Sequence, residues 1–303
     1  MGTNICLIGI GKIAVDQHVP AINGSDDWTL AATVSRSGTV DGVPFFTDFD
    51  KMLAARPDIL VISLCLPPVP RFEYAAKAIA AGRHVMLEKP PGATLAEVHA
   101  LQSMAADKGV SLFATWHSRA AKAVQPAKAW LADKTVTKAH INWKEDVRKW
   151  HPNQDWVFEP GGMGVFDPGI NALSIITEIL PFEMRLQQAI LDFPENRDTP
   201  IAAQMQWADN VTGVFDWRQT GQQSWDITVE TPVGIAEIKD GGTRFLIDGN
   251  EQDTGTLGEY PALYKRMKTL VEKSASDVDL RPMIHVADAL TLGKRVITDA
   301  FHF

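Results

Sequence analysis

The sequence predicts an α/β fold in which a parallel sheet is followed by a second domain with a mostly antiparallel sheet. Near the N-terminus, an apolar run ends in the spaced small residues Gly9, Gly11 and Ala14. Up to about residue 121, apolar strand-like runs alternate with helical segments of about ten residues or more, which is typical of βαβ units. Beyond that point, short strand-like runs follow one another with turn residues between them, which indicates antiparallel pairing.

The N-terminal apolar run, residues 5–8, has the composition of a strand that is buried on both faces. Gly9 permits a tight turn after it, Gly11 lets a pyrophosphate approach the backbone, and Ala14 lets the next helix pack closely on the strand. The N–H groups of the first helical turn, at Lys12-Ile13, and the helix dipole would bind phosphates. An ordinary strand–turn–helix corner shares this pattern, but the position directly behind a clean strand favours a dinucleotide site in a Rossmann domain.

The segment after the second predicted strand, residues 29–34, indicates which dinucleotide is bound. An NAD site usually has Asp or Glu there to hold the ribose 2′-hydroxyl, but this chain has Ser35-Arg36-Ser37. A carboxylate would repel a 2′-phosphate, whereas the Arg36 guanidinium and the Ser35 hydroxyl would bind one. The alternative interpretation is an ordinary exposed loop arginine. We therefore expect NADP to be preferred, with NAD as the second choice.

Apolar patterning and turn signals predict the other elements of the first domain. We expect a helix from about Lys12 to Ile22 that Pro20 kinks or shortens. Further strands are predicted at residues 58–66, 84–87 and 110–115, and further helices at residues 48–55, 71–81 and 95–108. The carboxyl ends of parallel strands line the cofactor crevice of such folds, so Cys65-Leu66-Pro67 and Glu88-Lys89 are expected beside the cofactor.

The second domain is predicted from repeated strands and turns. Strands are expected at residues 136–147, 184–193, 200–208, 211–218, 224–230, 234–239 and 243–248, and helices at 121–132, 170–179, 261–273 and 282–300. Asp240-Gly241-Gly242 and Asp248-Gly249-Asn250 are hairpin signals. We expect a dinucleotide-binding domain over residues 1–121 and a substrate-binding α+β domain over residues 122–303. An alternative placement of the C-terminal helix has it packed back towards the first domain.

Composition and charge restrict the class of protein. The chain has 303 residues, 45% of them apolar, and a net charge of −8 without a basic run, which argues against nucleic-acid binding. No apolar stretch is long enough to cross a bilayer, and the first strand begins too early for a signal peptide, so we expect a cytoplasmic protein. Cys6 and Cys65 lie in apolar strand patterns and are expected to be buried, reduced thiols. No spacing of Cys, His and carboxylates suggests a metal.

Two segments carry residues that could do chemistry. Glu88-Lys89-Pro90 ends a strand on the cofactor side, where a lysine could reach the nicotinamide or a reacting hydroxyl, although this motif alone is more often a solvated loop ion pair. Asp167 and Asn171 are four residues apart behind a glycine-rich run, and they share one helical face if the helix includes both. The alternative makes Asp167 an N-cap with Pro168 at the first helical position.

Together these motifs resemble those of the glucose–fructose oxidoreductase/inositol dehydrogenase (Gfo/Idh/MocA) family. The similar segments are residues 9–14, residues 81–90 ending in Glu88-Lys89-Pro90, and residues 161–171 from Gly161-Gly162 to Asn171. The resemblance implies an N-terminal Rossmann domain joined to a C-terminal domain with a large open, mostly antiparallel sheet, with the active site between them. An open sheet face would also favour a homo-oligomer.

Within that family, the chain is most similar to bacterial aldose 1-dehydrogenases that oxidise D-galactose or L-arabinose. The segments behind this resemblance are residues 11–22, 88–95, 115–119 and 143–152. It implies hydride transfer from C1 of a pyranose to the nicotinamide, with the sugar lactone as product. The alternatives are a family enzyme for another polyol or an imine, and a cofactor-dependent sensor without turnover, against which the intact Lys89 and Asp167 argue.

The resemblance also implies roles for individual residues. The wider family has a histidine four residues after the aspartate, where this chain has Asn171, so the usual Asp–His pairing is expected to be absent. Asp167 is then the expected base, because Asn171 cannot exchange protons at neutral pH and is expected to bind the sugar. Lys89 is expected to bind the hydroxyl and the cofactor, and it is the alternative base if burial lowers its pKa.

A small-molecule sugar site needs aromatic surface for C–H groups and polar groups for hydroxyls. Four residues are expected to meet these needs: His117, Glu145, Trp150 and Trp225. For each tryptophan, packing in the core is an equally good interpretation. His117 is favoured because it follows a predicted strand at its carboxyl end. The other histidines singled out, which are expected to have ordinary structural roles, are His84, His99, His140 and His285.

Overall fold

The computed structural model describes residues 2–303. Its strands are β1 (Thr3–Ile8), β2 (Trp28–Val34), β3 (Phe45–Phe46), β4 (Val61–Leu64), β5 (His84–Leu87), β6 (Leu112–Ala114), β7 (Lys138–Lys144), β8 (Leu186–Pro194), β9 (Ala202–Trp207), β10 (Val211–Asp216), β11 (Ser224–Thr231), β12 (Gly234–Lys239), β13 (Arg244–Ile247), β14 (Asn250–Glu251) and β15 (Lys294–Thr298). Its α-helices are α1 (Val19–Asn23), α2 (Phe49–Ala55), α3 (Pro68–Ala80), α4 (Leu95–Lys108), α5 (Val124–Leu131), α6 (Val147–Trp150), α7 (Phe166–Ile179), α8 (Glu259–Lys273) and α9 (Arg281–Leu292).

The N-terminal part of the chain forms a parallel sheet. Its strand order is β3-β2-β1-β4-β5-β6, and every pairing in it is parallel. The order reverses at β1, whose neighbours are β2 and β4, and ligands of such sheets bind at the carboxyl ends beside this switch point. Four consecutive residues of β1, from Ile5 to Ile8, are almost fully buried, as the apolar run predicts. The predicted Rossmann sheet is therefore confirmed.

The first helix departs from a regular α-helix, as Pro20 predicts. The helical stretch that follows the glycine turn contains a π-helical segment, Ala14–His18, and continues as α1. Proline has no N–H and cannot donate to the carbonyl four residues earlier. The wider π turn ends with the fully buried His18, two residues before Pro20.

The second sheet is mostly antiparallel, as predicted. Its strand order is β14-β13-β12-β11-β7-β10-β9-β8-β15, and only β7 with β10 and β8 with β15 pair in parallel. The strands alternate between buried and less buried residues, as along β10, because one face packs on the core. The turn Asp240–Gly242 joins β12 to β13, where Gly241 and Gly242 adopt φ values of 70° and 98°. This confirms the hairpin signal.

The predicted final helix over residues 282–300 is wrong in its second half. Helix α9 ends at Leu292, and residues 294–298 form β15, which pairs in parallel with β8. A Cβ on Gly293 would lie 2.4 Å from the Ala289 carbonyl oxygen, so only glycine fits at this stop. Val296, Ile297 and Thr298 are β-branched and favour a strand, a preference that the apolar spacing of the segment obscured.

The chain divides into two compact units. The first comprises the residues up to His117 together with Gly258–Asp279, and the second comprises Ser118–Leu257 and Leu280–Phe303. Helix α8 therefore belongs to the first unit, and α9 to the second. The domain boundary after residue 121 stays a prediction. Among residues 2–303, no helix combines the length and apolar character needed to span a bilayer.

Both cysteines are free thiols, as predicted, but they differ in burial. Cys6 is fully buried in β1. Cys65 is only half-buried because it follows the last residue of β4, where the chain leaves the sheet. The prediction that Cys65 is a buried strand residue is therefore wrong.

Candidate active site

The glycine-rich turn in the first unit has the geometry of a phosphate site. Gly9 has a φ of 87°, and a Cβ there would lie 2.9 Å from the Leu66 Cδ2 atom, so the turn requires glycine. A Cβ on Gly11 would meet no protein atom within 4 Å, which leaves this side of the backbone open. Ala14 is fully buried at the start of the π segment, and the first-turn N–H groups, at Lys12-Ile13, have no partner within the helix. These features fit a dinucleotide.

The loop after β2 presents Arg36 to solvent. The Ser35 Oγ atom accepts a hydrogen bond of 3.0 Å from the Gly38 backbone N–H, which closes the loop on itself. Arg36 is exposed, and no carboxylate of residues 2–303 forms an ion pair with it. An exposed guanidinium beside a hydroxyl fits a phosphate group. The roles of Ser35 and Arg36 in cofactor binding stay predictions.

The predicted Lys89 loop, at the end of β5, is held by an arginine that the sequence analysis did not single out. The guanidinium of Arg71 is buried, with 2% of the residue exposed, and donates to the backbone carbonyls of Leu66, Glu88 and Pro90. Arg71 therefore ties together the loops that follow β4 and β5. Lys89 is half-buried, and its backbone N–H donates to the Glu88 Oε2 atom at 2.9 Å.

Glu88 is a buried carboxylate surrounded by donors, so it is not part of a solvated loop ion pair. Its Oε1 atom lies 3.0 Å from His18 Nε2 and 2.9 Å from the Tyr260 hydroxyl. The other imidazole nitrogen of His18 lies 2.7 Å from the Tyr264 hydroxyl. His18, Tyr260 and Tyr264 were missed as partners because they are distant from Glu88 in the sequence. The role of Glu88 in cofactor binding stays a prediction.

The electrostatics of this group favour a charged pair. Burial by itself would raise the pKa of Glu88, but the hydrogen bond and the charge of His18 hold it at about 2. Burial likewise opposes a charged His18, but Cys65, Tyr264 and Glu88 together raise its pKa well above the ordinary value. The interior of the first unit therefore contains an imidazolium–carboxylate pair next to Lys89.

The predicted ligand His117 lies close to this group. Its Nδ1 atom is 2.7 Å from the Glu259 Oε2 atom, and its ring stacks on that of Tyr260 with a centroid separation of 5.8 Å. Leu66 contacts the glycine turn, as noted, and Pro67 lies exposed just before α3. The sugar-binding role of His117 and the cofactor-binding roles of Cys65, Leu66 and Pro67 stay predictions.

In the second unit, Asp167 is a helical residue and not a helix cap. The N-cap of α7 is Val165, so the N-cap interpretation of Asp167 is wrong. The helix includes both Asp167 and Asn171, which therefore lie one turn apart on the same face. Gly164 has a φ of 54°, and a Cβ on it would lie 2.2 Å from the Pro200 carbonyl oxygen, so this glycine starts the turn.

The usual pair, with a histidine four residues after Asp167, is absent because Asn171 stands there, but the inference that Asp167 has no histidine partner is wrong, because His151 contacts it. Its Nε2 atom lies 3.1 Å from Asp167 Oδ2, and its Nδ1 atom lies 3.2 Å from Gln154 Oε1. His151 follows α6 and comes from a different element than α7. The only sequence signal for it was the segment Trp150-His151, which belonged to the resemblance but was interpreted through its tryptophan alone.

Three of the predicted sugar-contact residues lie together in the second unit. Glu145 is 8% exposed and accepts hydrogen bonds from the indole N–H groups of Trp217, at 3.0 Å, and Trp225, at 2.8 Å. The rings of Trp150 and Trp225 meet edge to face at 6.0 Å. Trp150 is 44% exposed, so core packing does not account for it.

His151 joins this aromatic group to Asp167. Its ring packs at 5.5 Å against the ring of Trp217, whose indole N–H donates to Glu145. A continuous series of contacts therefore runs from Asp167 through His151 and Trp217 to Glu145 and Trp225. A carboxylate, an imidazole and aromatic rings in contact can accept a proton and hold a polyhydroxylated ligand.

The fold and the glycine turn define a dinucleotide-binding protein of the Rossmann class. Residues 3–115 match the model of the Gfo/Idh/MocA family, an oxidoreductase family with an NAD-binding Rossmann fold. The chain is 40% identical to galactose 1-dehydrogenase from Pseudomonas fluorescens over 98% of this chain and 97% of that protein. The chain therefore belongs to the Gfo/Idh/MocA family. The predictions of the family and of an NAD(P)-dependent oxidoreductase are confirmed.

Solved structures agree with this assignment. The crystal structure of D-galactose-1-dehydrogenase from Rhizobium etli is 53% identical, has a TM-score of 0.96, and is matched over 99% of this chain and 98% of that one. A 3-ketoreductase from Actinomadura kijaniata, crystallised with NADP and TDP-benzene, has a TM-score of 0.83 over 98% of this chain and 100% of that one. At 15% identity, the second structure shows only that the fold is shared.

Proposed function

We propose that the chain is an NAD(P)-dependent aldose 1-dehydrogenase that oxidises C1 of a pyranose, D-galactose or L-arabinose, to the lactone. The observation that carries the proposal is the series of contacts from Asp167 through His151 to Glu145 and Trp225. It combines a proton acceptor with an aromatic, hydrogen-bonding surface in one unit. The similarity to two galactose 1-dehydrogenases supports the choice of sugar.

Oxidation at C1 removes a hydride from carbon and a proton from the C1 hydroxyl. A bound nicotinamide supplies the hydride acceptor. Asp167 takes the proton, directly or through water, since carboxylates as a class are ionised at neutral pH. The His151 imidazole, 3.1 Å from Asp167 Oδ2, holds that carboxylate in one orientation. Lys89 binds the hydroxyl and the cofactor, and Asn171, one helical turn after Asp167, binds the sugar.

The proposed sugar site combines aromatic rings with a carboxylate that is held in place. The exposed face of Trp150 packs against C–H groups of the pyranose. Two indole N–H groups fix Glu145, whose oxygens keep capacity to accept hydrogen bonds from sugar hydroxyls. His117 contributes a further polar contact. D-galactose and L-arabinose match at C2 to C4, so one site takes both with modest discrimination.

The preferred cofactor is NADP. The exposed guanidinium of Arg36 and the Ser35 hydroxyl would bind the 2′-phosphate, and no acidic residue stands at the position that holds the ribose of NAD. We further propose that copies of the chain associate through the open face of the second sheet, and that the protein acts in the cytoplasm.

The test is turnover by the purified protein. NADP⁺ or NAD⁺ is incubated with a panel of aldoses and inositols, NADPH or NADH is incubated with cyclic imines, and the absorbance of the reduced nicotinamide is followed in each case. We expect D-galactose and L-arabinose to be oxidised, with lactone detected by NMR. Turnover of inositols or imines alone would indicate an oxidoreductase of the same family with a different substrate. Tight cofactor binding without turnover of any compound would indicate a sensor.

A further inference from the structure

The buried group around Glu88 is not used by the proposed reaction. His18 and Glu88, with 0% and 5% exposure, form a charged pair inside the first unit, with Tyr260 and Tyr264 around it. A buried ion pair is weak evidence for stability, because desolvation of the two charges offsets much of their attraction. Its position next to Lys89 suggests a different role.

The contacts of Glu88 converge on one peptide unit. The Glu88 carbonyl oxygen accepts from the Arg71 guanidinium, and the Lys89 N–H donates to Glu88 Oε2 at 2.9 Å. Both polar atoms of the peptide group that precedes the Lys89 Cα are therefore held. The Pro90 carbonyl oxygen, on the other side of Lys89, also accepts from Arg71. Such fixing of the backbone determines the direction in which the Lys89 side chain leaves it.

The carboxylate that holds Lys89 is itself held from two other parts of the first unit. Oε1 of Glu88 contacts His18, the last residue of the π segment that begins at Ala14 of the glycine turn. The same oxygen accepts from Tyr260 at 2.9 Å, in the first turn of α8. Glu88 cannot rotate away from the Lys89 N–H without breaking both contacts.

We propose that His18, Glu88 and Tyr260 are positioning residues that act through Lys89, by coupling the helix behind the glycine turn to the Lys89 backbone. This inference rests on the proposed role of Lys89 as the ligand of hydroxyl and cofactor. Glu88 is then an internal anchor, and the charge pair serves to fix one backbone geometry. Precise placement of a ligating group within a fraction of an ångström governs its effect on rate.

The variant that tests this is Tyr260→Phe, which removes one hydroxyl donor and keeps the ring that stacks on His117. We expect hydrogen–deuterium exchange at the Lys89 amide to become about fivefold faster without cofactor or sugar, because its acceptor is less firmly held. In aldose turnover, kcat should fall about tenfold, which corresponds to one lost hydrogen bond. Tyr74→Phe, at a tyrosine that packs on Phe49, is the matched control and should change neither the exchange rate of the Lys89 amide nor kcat.

A double-mutant cycle separates positioning from general stabilisation. Lys89→Met removes the amine, so Tyr260→Phe should then lower kcat by less than about twofold further. Unchanged Lys89 amide exchange in Tyr260→Phe, or a full tenfold loss on top of Lys89→Met, would overturn the inference. Absence of turnover in the wild-type protein would refute the proposed function instead, and the exchange measurement would still decide whether Tyr260 anchors Lys89. Glu88→Gln, with one acceptor oxygen left for three donors, should show the same changes more strongly.

Discussion

His151 Nε2 lies 3.1 Å from Asp167 Oδ2, and the two residues come from different elements, the end of α6 and the first turn of α7. Asn171 stands where the wider family was expected to supply a histidine, so the pair is formed by a residue from another segment. The same imidazole packs on Trp217. His151 therefore connects the proposed base to the proposed sugar surface.

Asp167→Asn should lower kcat by about 10²–10⁴, because the amide cannot accept the C1 hydroxyl proton. Asparagine keeps the size of the side chain and a hydrogen bond to His151. Steady-state kinetics, NADPH binding followed by fluorescence, and thermal unfolding check this, with binding and Tm expected to stay near wild type. If Asp167→Asn kept most of its kcat, another residue would be the base, and Lys89 would be the first candidate.

His151→Gln should lower kcat about tenfold, because the Asp167 carboxylate loses the partner that orients it, a contact worth about 1 kcal/mol. The KM for the sugar should rise less, since Glu145 keeps both of its indole donors. His140→Gln is the matched control, because His140 lies on β7 of the same unit and contacts Thr212 at 2.8 Å. An equal loss in both variants would count against a role for His151 in the reaction.

Arg36→Ala should raise the KM for NADP⁺ by about tenfold or more and leave the KM for NAD⁺ within about twofold, because only NADP carries the 2′-phosphate that a guanidinium binds. Arg83→Ala, which removes another guanidinium of the first unit, serves as the control. Initial rates at varied cofactor concentrations give the comparison. If both cofactors were affected alike, Arg36 would not recognise the phosphate.

Trp150→Ala should raise the KM for the aldose about tenfold with little change in kcat, because the ring contacts ground state and transition state alike. Trp150 is 44% exposed, so Tm should fall little. Trp130→Ala, at a tryptophan of α5 beneath the Lys134 ammonium, is the control and should not alter the KM. An unchanged KM in Trp150→Ala would show that this ring does not contact the sugar.

The His18–Glu88 pair should make stability depend on pH in two opposite directions. The pKa of Glu88 is depressed to about 2, so its stabilisation is present above its ordinary pKa and is lost as pH falls towards 2. The pKa of His18 is raised, so its stabilisation is full below about pH 6.5 and is lost as pH rises through the folded-state value.

Urea unfolding of wild type and Glu88→Gln across pH measures the first effect. The wild type should be more stable near pH 5–6 by about 3 kcal/mol. The difference should shrink as pH falls below about 4. A difference that stays constant down to pH 2.5 would mean that Glu88 is not ionised in the folded protein.

Local patterns were sufficient to predict the elements that follow local rules. The buried strand before Gly9, helix α4 and the run of antiparallel strands each follow from propensity, periodicity and turn residues within a few positions. Glu145, Trp150 and Trp225 were predicted from the resemblance and from the need of a sugar site for aromatic surface and polar groups. These residues contact one another in the second unit, and their role in binding a sugar stays a prediction.

The groups that hold the site in place could not be predicted in the same way. Glu88 meets His18, 70 residues earlier, and Tyr260, 172 residues later, and no local spacing indicates such contacts. Arg71 looks like any arginine of an amphipathic helix, and its burial follows only from the loops that close over it. The strand β15 was missed because its partner, β8, is far away in the sequence and decides its conformation.

The division of the chain into two compact units has a consequence for how cofactor preference and sugar preference can change. Ser35 and Arg36 lie in the first unit, and Glu145 and Trp225 lie in the second. The loop of Ser35 closes on its own backbone, and Glu145 is fixed by indoles of its own unit. On the proposed roles, cofactor choice depends on residues of the first unit and sugar choice on residues of the second, so a substitution that alters one choice is expected to leave the other unchanged.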